Sequence, residues 1–133
     1  MATAFQLDHF VLTVRDLDAS LAFYERLFDG QRQHFGEDRF AVFCGSFRIH
    51  FHRMTDEILP RAEHPTPGSA DLCFLTPSLR DFQRKLEGSD IRPILGPVPR
   101  NGAAGALTSL YFRDPDGNLI EVAEVTKPLP CAF

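Results

Sequence analysis

The 133-residue sequence has no tryptophan, only three cysteines, no long apolar run and no block of basic charge. Each absence excludes something. Cys44, Cys73 and Cys131 are odd in number and far apart, without the CxxC spacing of a zinc or redox motif, and this usage fits a reducing cytoplasm. Lysine and arginine form no stripe and the net charge is −4, which argues against a nucleic-acid partner. Apolar stretches are a few residues long, so no segment reads as a membrane span. Met1-Ala2-Thr3-Ala4 lacks a basic region followed by an apolar block, so no signal peptide is expected and the expected location is cytoplasmic. What remains is ordinary globular composition, 44% apolar and 24% charged, in a chain long enough for one domain with a core built on 13 phenylalanines.

The pattern along the chain predicts a strand over Phe5–Val14, where β-rich residues alternate. A helix follows, capped by Asp16 or Asp18, with Leu17, Leu21, Tyr24 and Phe28 on one face and Gly30 at its end. Three short strands fit Gln31–Phe35, Arg39–Cys44 and Phe47–His52, the last two joined by a tight Gly45-Ser46 turn. Residues 53–69, ending in Pro60, Pro65, Pro67 and Gly68, read as a linker. The order then restarts: a strand over Ala70–Leu75, a helix capped by Ser78 with Leu79, Phe82 and Leu86 inward, and a weak strand near Ile91–Leu95. A glycine-rich loop over Asn101–Ala106 comes next, either a mobile loop near a cleft or a plain connection. Thr108–Arg113 and Asn118–Val125 form a hairpin across Asp114-Pro115-Asp116-Gly117, a strong turn signal. The tail from Lys127 to Phe133 reads as loose.

Strand, helix and three strands, twice over, is an internal repeat. His9-Phe10-Val11-Leu12 aligns with Asp71-Leu72-Cys73-Phe74, Leu17 with Leu79, and Ile49-His50-Phe51 with Ile120-Glu121-Val122. The fold class expected is therefore α+β, two βαβββ modules: module one about 5–52, module two about 70–125.

Side chains alternate along a strand, so each repeat-related strand can be sorted by face. One face carries Phe10, Leu12 and Val14, then Ile49 and Phe51, Leu72 and Phe74, Ile120 and Val122, apolar enough to take a packed helix. The opposite face carries His9, His50, His52, Asp71 and Glu121. Taken singly, each has a plain structural explanation: a satisfied strand histidine, a solvated carboxylate, an aspartate that starts a strand. Jointly they assemble histidines and carboxylates at equivalent places of a repeat. That is the N/O donor set of Zn, Ni, Fe, Mn or Co as divalent ions. If the two sheets curve around a common cleft, all five point into it.

The stretches Leu7-Asp8-His9-Phe10-Val11-Leu12-Thr13-Val14-Arg15-Asp16-Leu17, Phe23-Tyr24, and Tyr111-Phe112-Arg113-Asp114-Pro115-Asp116-Gly117-Asn118-Leu119-Ile120-Glu121 resemble the vicinal oxygen chelate superfamily (glyoxalase, bleomycin-resistance protein, extradiol dioxygenase). The resemblance covers essentially the whole chain, and the segment ending in Glu121 is its most specific part. It implies a curved mixed sheet around a cleft, with metal ligands at His9, Asp71 and Glu121 and a fourth at His50 or His52. The repeat alignment favours His50, and the Pro65-Thr66-Pro67-Gly68-Ser69-Ala70-Asp71 linker pattern favours His52. Asp71 departs from the many members with histidine there and makes the site harder and more anionic.

Such a site implies a small-molecule substrate that chelates the metal through oxygens. The reaction first in line is glyoxalase I-like lyase or isomerase chemistry through a metal-stabilised enediolate, with Glu121 and Asp71 as catalytic carboxylates. The alternatives are an extradiol-type dioxygenase, a fosfomycin-type transferase, and a metal-free drug-binding resistance protein. Arg39, Arg48, Arg100 and Arg113 are candidates for holding an anionic substrate group. The resemblance also implies a homodimer, whose modules pair within the chain or, through the linker of residues 53–69, with the partner chain.

Overall fold

The computed structural model describes residues 5–129. The element order is β1 (His9–Val14), α1 (Leu17–Leu27), β2 (Gln31–Phe35), β3 (Arg39–Phe43) and β4 (Arg48–Arg53). It then repeats as β5 (Asp71–Leu75), α2 (Leu79–Gly88), β6 (Leu95–Gly102), β7 (Gly105–Arg113) and β8 (Leu119–Pro128). These are the two βαβββ modules expected from the repeat. Each folds into its own four-stranded mixed sheet, ordered β1-β4-β3-β2 in the first and β5-β8-β7-β6 in the second. Within each, the first strand runs parallel to the last, and the other pairings are antiparallel. Residues 5–70 with 114–118 form one compact unit, and Asp71–Arg113 with 119–129 form another.

In the first unit Asp16 starts α1, its carboxylate accepting from the Ala19 backbone N–H at 3.0 Å. Leu21, Tyr24 and Leu27 then recur at helical spacing and are fully buried, along with Leu12, Val14, Ile49 and Phe51 of the sheet. The buried stripe runs through Leu27, whereas Phe28, expected on the inner face, is the C-cap residue. Asp29 follows in the left-handed region, φ 49°, which ends the helix. In the second unit Ser78 caps α2, and Leu79, Phe82 and Leu86 are its buried residues, as the pattern predicts.

Three boundaries differ from expectation. β1 begins at His9 and not at Phe5, because its pairing partner β4 begins at Arg48, opposite His9; Phe5 is fully exposed. The weak strand near Ile91–Leu95 is displaced to β6, Leu95–Gly102. Pro97 and Pro99 hide it in the sequence, yet β6 is an edge strand with one side unpaired, where a missing N–H is tolerated. The glycine-rich segment Asn101–Ala106 is a plain connection between two strands. It closes the β6–β7 hairpin, with Asn101 opposite Ala106 and Gly102 opposite Gly105. Part of the expected loose tail is also strand, since β8 continues through Pro128; residues 130–133, Cys131 among them, lie outside the described residues.

The turn at residues 114–118 is a folded unit in itself. The Asp114 carboxylate, only 6% exposed, accepts four hydrogen bonds. Three come from within the turn: Asp116 N–H and Asn118 N–H, each at 2.9 Å, and the Asn118 amide at 2.7 Å. The fourth comes from the Tyr24 hydroxyl at 2.6 Å. Asp116 accepts from the Arg15 backbone at 3.0 Å and from Ser20 Oγ at 3.4 Å. The Asn118 amide oxygen accepts from Ala70 N–H at 2.8 Å. Gly117 supplies the left-handed step, φ 91°, that the turn requires. Burial and the two aspartates push the Tyr24 phenol far above its ordinary pKa, so it remains a donor.

Replacing Asp114 with alanine leaves four donors without an acceptor, so Asp114→Ala should lose about 3 kcal/mol or more of stability in urea unfolding. Tyr24→Phe removes one donor and leaves Asp114 three, so its loss should be nearer 1–2 kcal/mol. A Tyr24→Phe loss as large as that of Asp114→Ala would show that the turn does not organise the core.

Candidate metal and substrate site

Helix packing covers one face of each sheet, so the remaining side chains of the same strands are turned to the other face. In the first module these are His9, Val11 and Thr13 on β1 and His50 and His52 on β4. Parallel pairing sets Val11 beside His50 and Thr13 beside His52. The rings of His9 and His50 stack, with centroids 4.1 Å apart and planes 14° from parallel. His9 is fixed from behind, its Nδ1 lying 2.7 Å from the Asp8 carboxylate, which leaves Nε2 as the free nitrogen. The hydrogen bond from His9 holds the Asp8 carboxyl below its usual range. This carboxylate–histidine pairing is the support that metal-binding imidazoles commonly have.

His50 is only 7% exposed, and its Nε2 is buried without a hydrogen-bond partner. Phe35 of β2 meets the ring edge-on, with centroids 5.2 Å apart, and the Arg48 guanidinium lies 4.5 Å over that phenylalanine. Burial first, then the charges of His9, Arg48 and His52, push the His50 pKa down to about 4, so at neutral pH the imidazole is uncharged. His52 is shifted in the same direction, by burial and then by Arg39. Its ring does not join the stack. It lines a cavity of about 500 Å³ between the end of this sheet and the linker segment after β4.

In the second module the corresponding face carries Asp71 and Cys73 of β5, Glu121 of β8 and Tyr111 of β7. Cys73 sits beside Glu121, and Tyr111 is opposite Glu121 on the other side. The Tyr111 hydroxyl accepts from Arg100 Nε at 2.9 Å. Ser109, on the same face of β7, has a buried hydroxyl without a partner. Partial burial and then the Glu121 carboxylate push Cys73 up to about 11, so at neutral pH it is a thiol and not a nucleophilic thiolate.

The two modules use the same register: His50 takes the step beside Val11 that Glu121 takes beside Cys73, and His9 begins β1 as Asp71 begins β5. Of the sequence-predicted ligands, the single chain brings His9 and His50 together. Among the described residues no group of three or more His, Cys, Asp or Glu side chains converges as a metal cluster. The sequence reading missed Asp8, Phe35 and Tyr111 as neighbours of the candidates. Asp8 had a signal, as an acid directly before a candidate ligand; the others are set by cross-strand register.

A pair of βαβββ modules carrying histidines and carboxylates opposite their helices defines a glyoxalase-like class of protein. The chain belongs to the Glyoxalase/Bleomycin resistance protein/Dioxygenase superfamily, whose profile matches residues 6–122. It is 42% identical over 120 residues to virulence protein STM3117 of Salmonella typhimurium, covering 90% of this chain and 83% of that one. The crystal structure of that protein superimposes with a TM-score of 0.89, covering 94% of this chain and 100% of that one. The chain is also 45% identical over 118 residues to the glyoxalase domain-containing protein RDO1 of Mycosarcoma maydis, covering 88% of this chain and 66% of that one. An integron cassette protein from V. cholerae, 42% identical, superimposes with a TM-score of 0.89 over 95% of this chain and 99% of its own.

In chelator-treated protein, alkylation of Cys73 should be slow at neutral pH and rise with a midpoint near 11. Glu121→Gln removes the neighbouring charge and should lower that midpoint, while Cys44, also held near 11 by burial alone, stays put. An unchanged Cys73 midpoint would show that the two side chains do not face each other in solution.

Proposed function

We propose that the protein is a divalent-metal-dependent enzyme acting on a small oxygen-chelating molecule, with glyoxalase I-like lyase or isomerase chemistry. The observation that carries this reading is the buried, partnerless Nε2 of His50, stacked on a His9 whose own Nε2 is left free by Asp8. A buried imidazole nitrogen without a partner costs roughly 1–3 kcal/mol, which a cation at that position offsets. His9 and His50 are the nitrogen donors in this reading, and Glu121, the repeat counterpart of His50, supplies a carboxylate oxygen. A first-row divalent ion held there would supply Lewis acidity toward the substrate's oxygens. The protein's own part is orientation and proton handling. Asp8 fixes the His9 ring, and Phe35 keeps water from the edge of His50. Asp71, exposed at the start of β5, is the carboxylate that takes a proton from a carbon beside a carbonyl and returns it.

His52 is assigned to the substrate and not to the metal, because it lines the cavity while His50 holds the stack. The same donor set of two histidines and one carboxylate suits an extradiol-type dioxygenase, so dicarbonyls and catechols both belong in the activity screen. The metal-free drug-binding alternative predicts no metal uptake. We also propose a homodimer, in which the edge strands β1 and β5 are covered by association of modules and ligands are shared between subunits.

Purified protein should take up a stoichiometric first-row divalent ion by elemental analysis. His50→Ala should weaken that uptake at least tenfold, and His52→Ala much less. No uptake by the native protein rejects the metal reading, and a larger effect from His52→Ala reverses the ligand assignment. For the dimer, His9→Ala and Glu121→Ala refolded together should regain part of the metal content that each lacks alone. A mixture that gains none places the whole site within one chain, and sedimentation as a monomer rejects the dimer.

A further inference from the structure

The linker is more than a connection. Leaving β4 at Met54, whose N–H bonds the Val14 carbonyl at 3.0 Å, it passes across the end of the first sheet to Ala70 and encloses the cavity of about 500 Å³. That volume is in the range of small-molecule sites. Its lining mixes two chemistries. Val11, 44% exposed, Met54, 56% exposed, Ile58 and Pro60 are apolar, and Thr13, His52 and Arg61 are polar.

The charges lining this space are not equally available. Asp56 is taken up by Arg53, accepting from its backbone N–H at 2.8 Å and from its Nε at 3.2 Å. Glu63 lies 3.7 Å from the exposed His64 ring and pairs with it only when that histidine is protonated. Arg61 contacts only the Asp56 backbone carbonyl, at 3.4 Å, and no carboxylate pairs with it among the described residues. The lining thus holds one guanidinium with no carboxylate partner among the described residues, the Thr13 hydroxyl and the His52 imidazole, alongside exposed aliphatic surface.

We infer that this linker-roofed cavity is a binding site for a small organic acid, its carboxylate held by Arg61 and its apolar body lying on Val11 and Met54. Guanidinium suits a carboxylate because its planar fork donates two parallel hydrogen bonds. The Val11–Met54 wall selects for an attached hydrocarbon group over a bare inorganic anion. The inference rests on the assignment of His52 to the substrate, because that ring lines the same cavity; the lining holds none of His9, His50, Asp71 or Glu121, so binding here can be tested apart from the metal.

The test is a titration of the full chain with 3-phenylpropionate, followed by backbone amide shifts, in the presence of chelator so that metal binding plays no part. Saturable shifts are expected at Val11, Thr13, His52 and the linker. The neutral amide of the same acid should bind about tenfold more weakly, and Arg61→Gln should weaken the acid by about tenfold while leaving the amide unchanged. Arg61 is exposed, so that variant keeps the native spectrum. Val11→Glu, which puts a like charge against the apolar wall, should abolish binding of the acid. Equal affinity for acid and amide, indifference to Arg61→Gln, or absence of saturable shifts at these residues would each overturn the inference.

Discussion

A β-strand turns successive side chains to opposite faces, and in this protein that alternation separates structure from chemistry. Leu12 and Val14, Ile49 and Phe51, Ile120 and Val122 take the face on which a helix packs, and all six are buried. Their immediate neighbours His50, His52 and Glu121, and His9 earlier on β1, are thereby held at fixed spacing on the other face. Slipping any of these strands by one residue would turn the ionisable group toward the helix and the hydrocarbon away from it, so the core enforces the register. The twofold repeat makes the same constraint act twice, giving equivalent positions to His50 and Glu121.

The segment Asp114–Asn118 shows how one motif can serve two ends. Its acids look like candidates for chemistry, yet Asp114 and Asp116 are buried and saturated with donors from Tyr24, Arg15, Ser20 and the turn itself. Their task is to hold a turn in place. Glu121, three residues beyond Asn118, is the acid left on the face opposite the helix. A buried carboxylate with four donors needs no cation, whereas a buried imidazole nitrogen with none invites one. That contrast, more than residue type, sets the acids of the turn apart from His50.

Within the first module the two histidines of β4 divide along the same line. His50 is enclosed by His9 and Phe35 and uncharged at neutral pH, the form in which imidazole donates to a metal. His52, one turn of the pleat further, looks into the linker cavity. A difference of two residues thus separates a candidate ligand from a candidate substrate contact.

Much of this was legible in the chain itself. Local signals are short-range: caps such as Asp16 and Ser78, the Leu79–Phe82–Leu86 stripe, the Asp114–Gly117 turn and the alternation of β1 and β4 each act over a few residues, and the repeat gave the topology. β6 was misplaced because prolines at 97 and 99 obscure strand character, and only its edge position in the sheet makes them harmless. Residues 101–106 read as a loop because glycine is equally at home in a hairpin, and only the β6–β7 pairing decides between them. The sequence could name His9, His50, His52, Asp71 and Glu121 as sharing a face, but it left His50 and His52 equal, since both satisfy the same period of two. Burial, stacking and the cavity distinguish them, and those arise from contacts between strands and linker far apart in the chain, which no local pattern encodes.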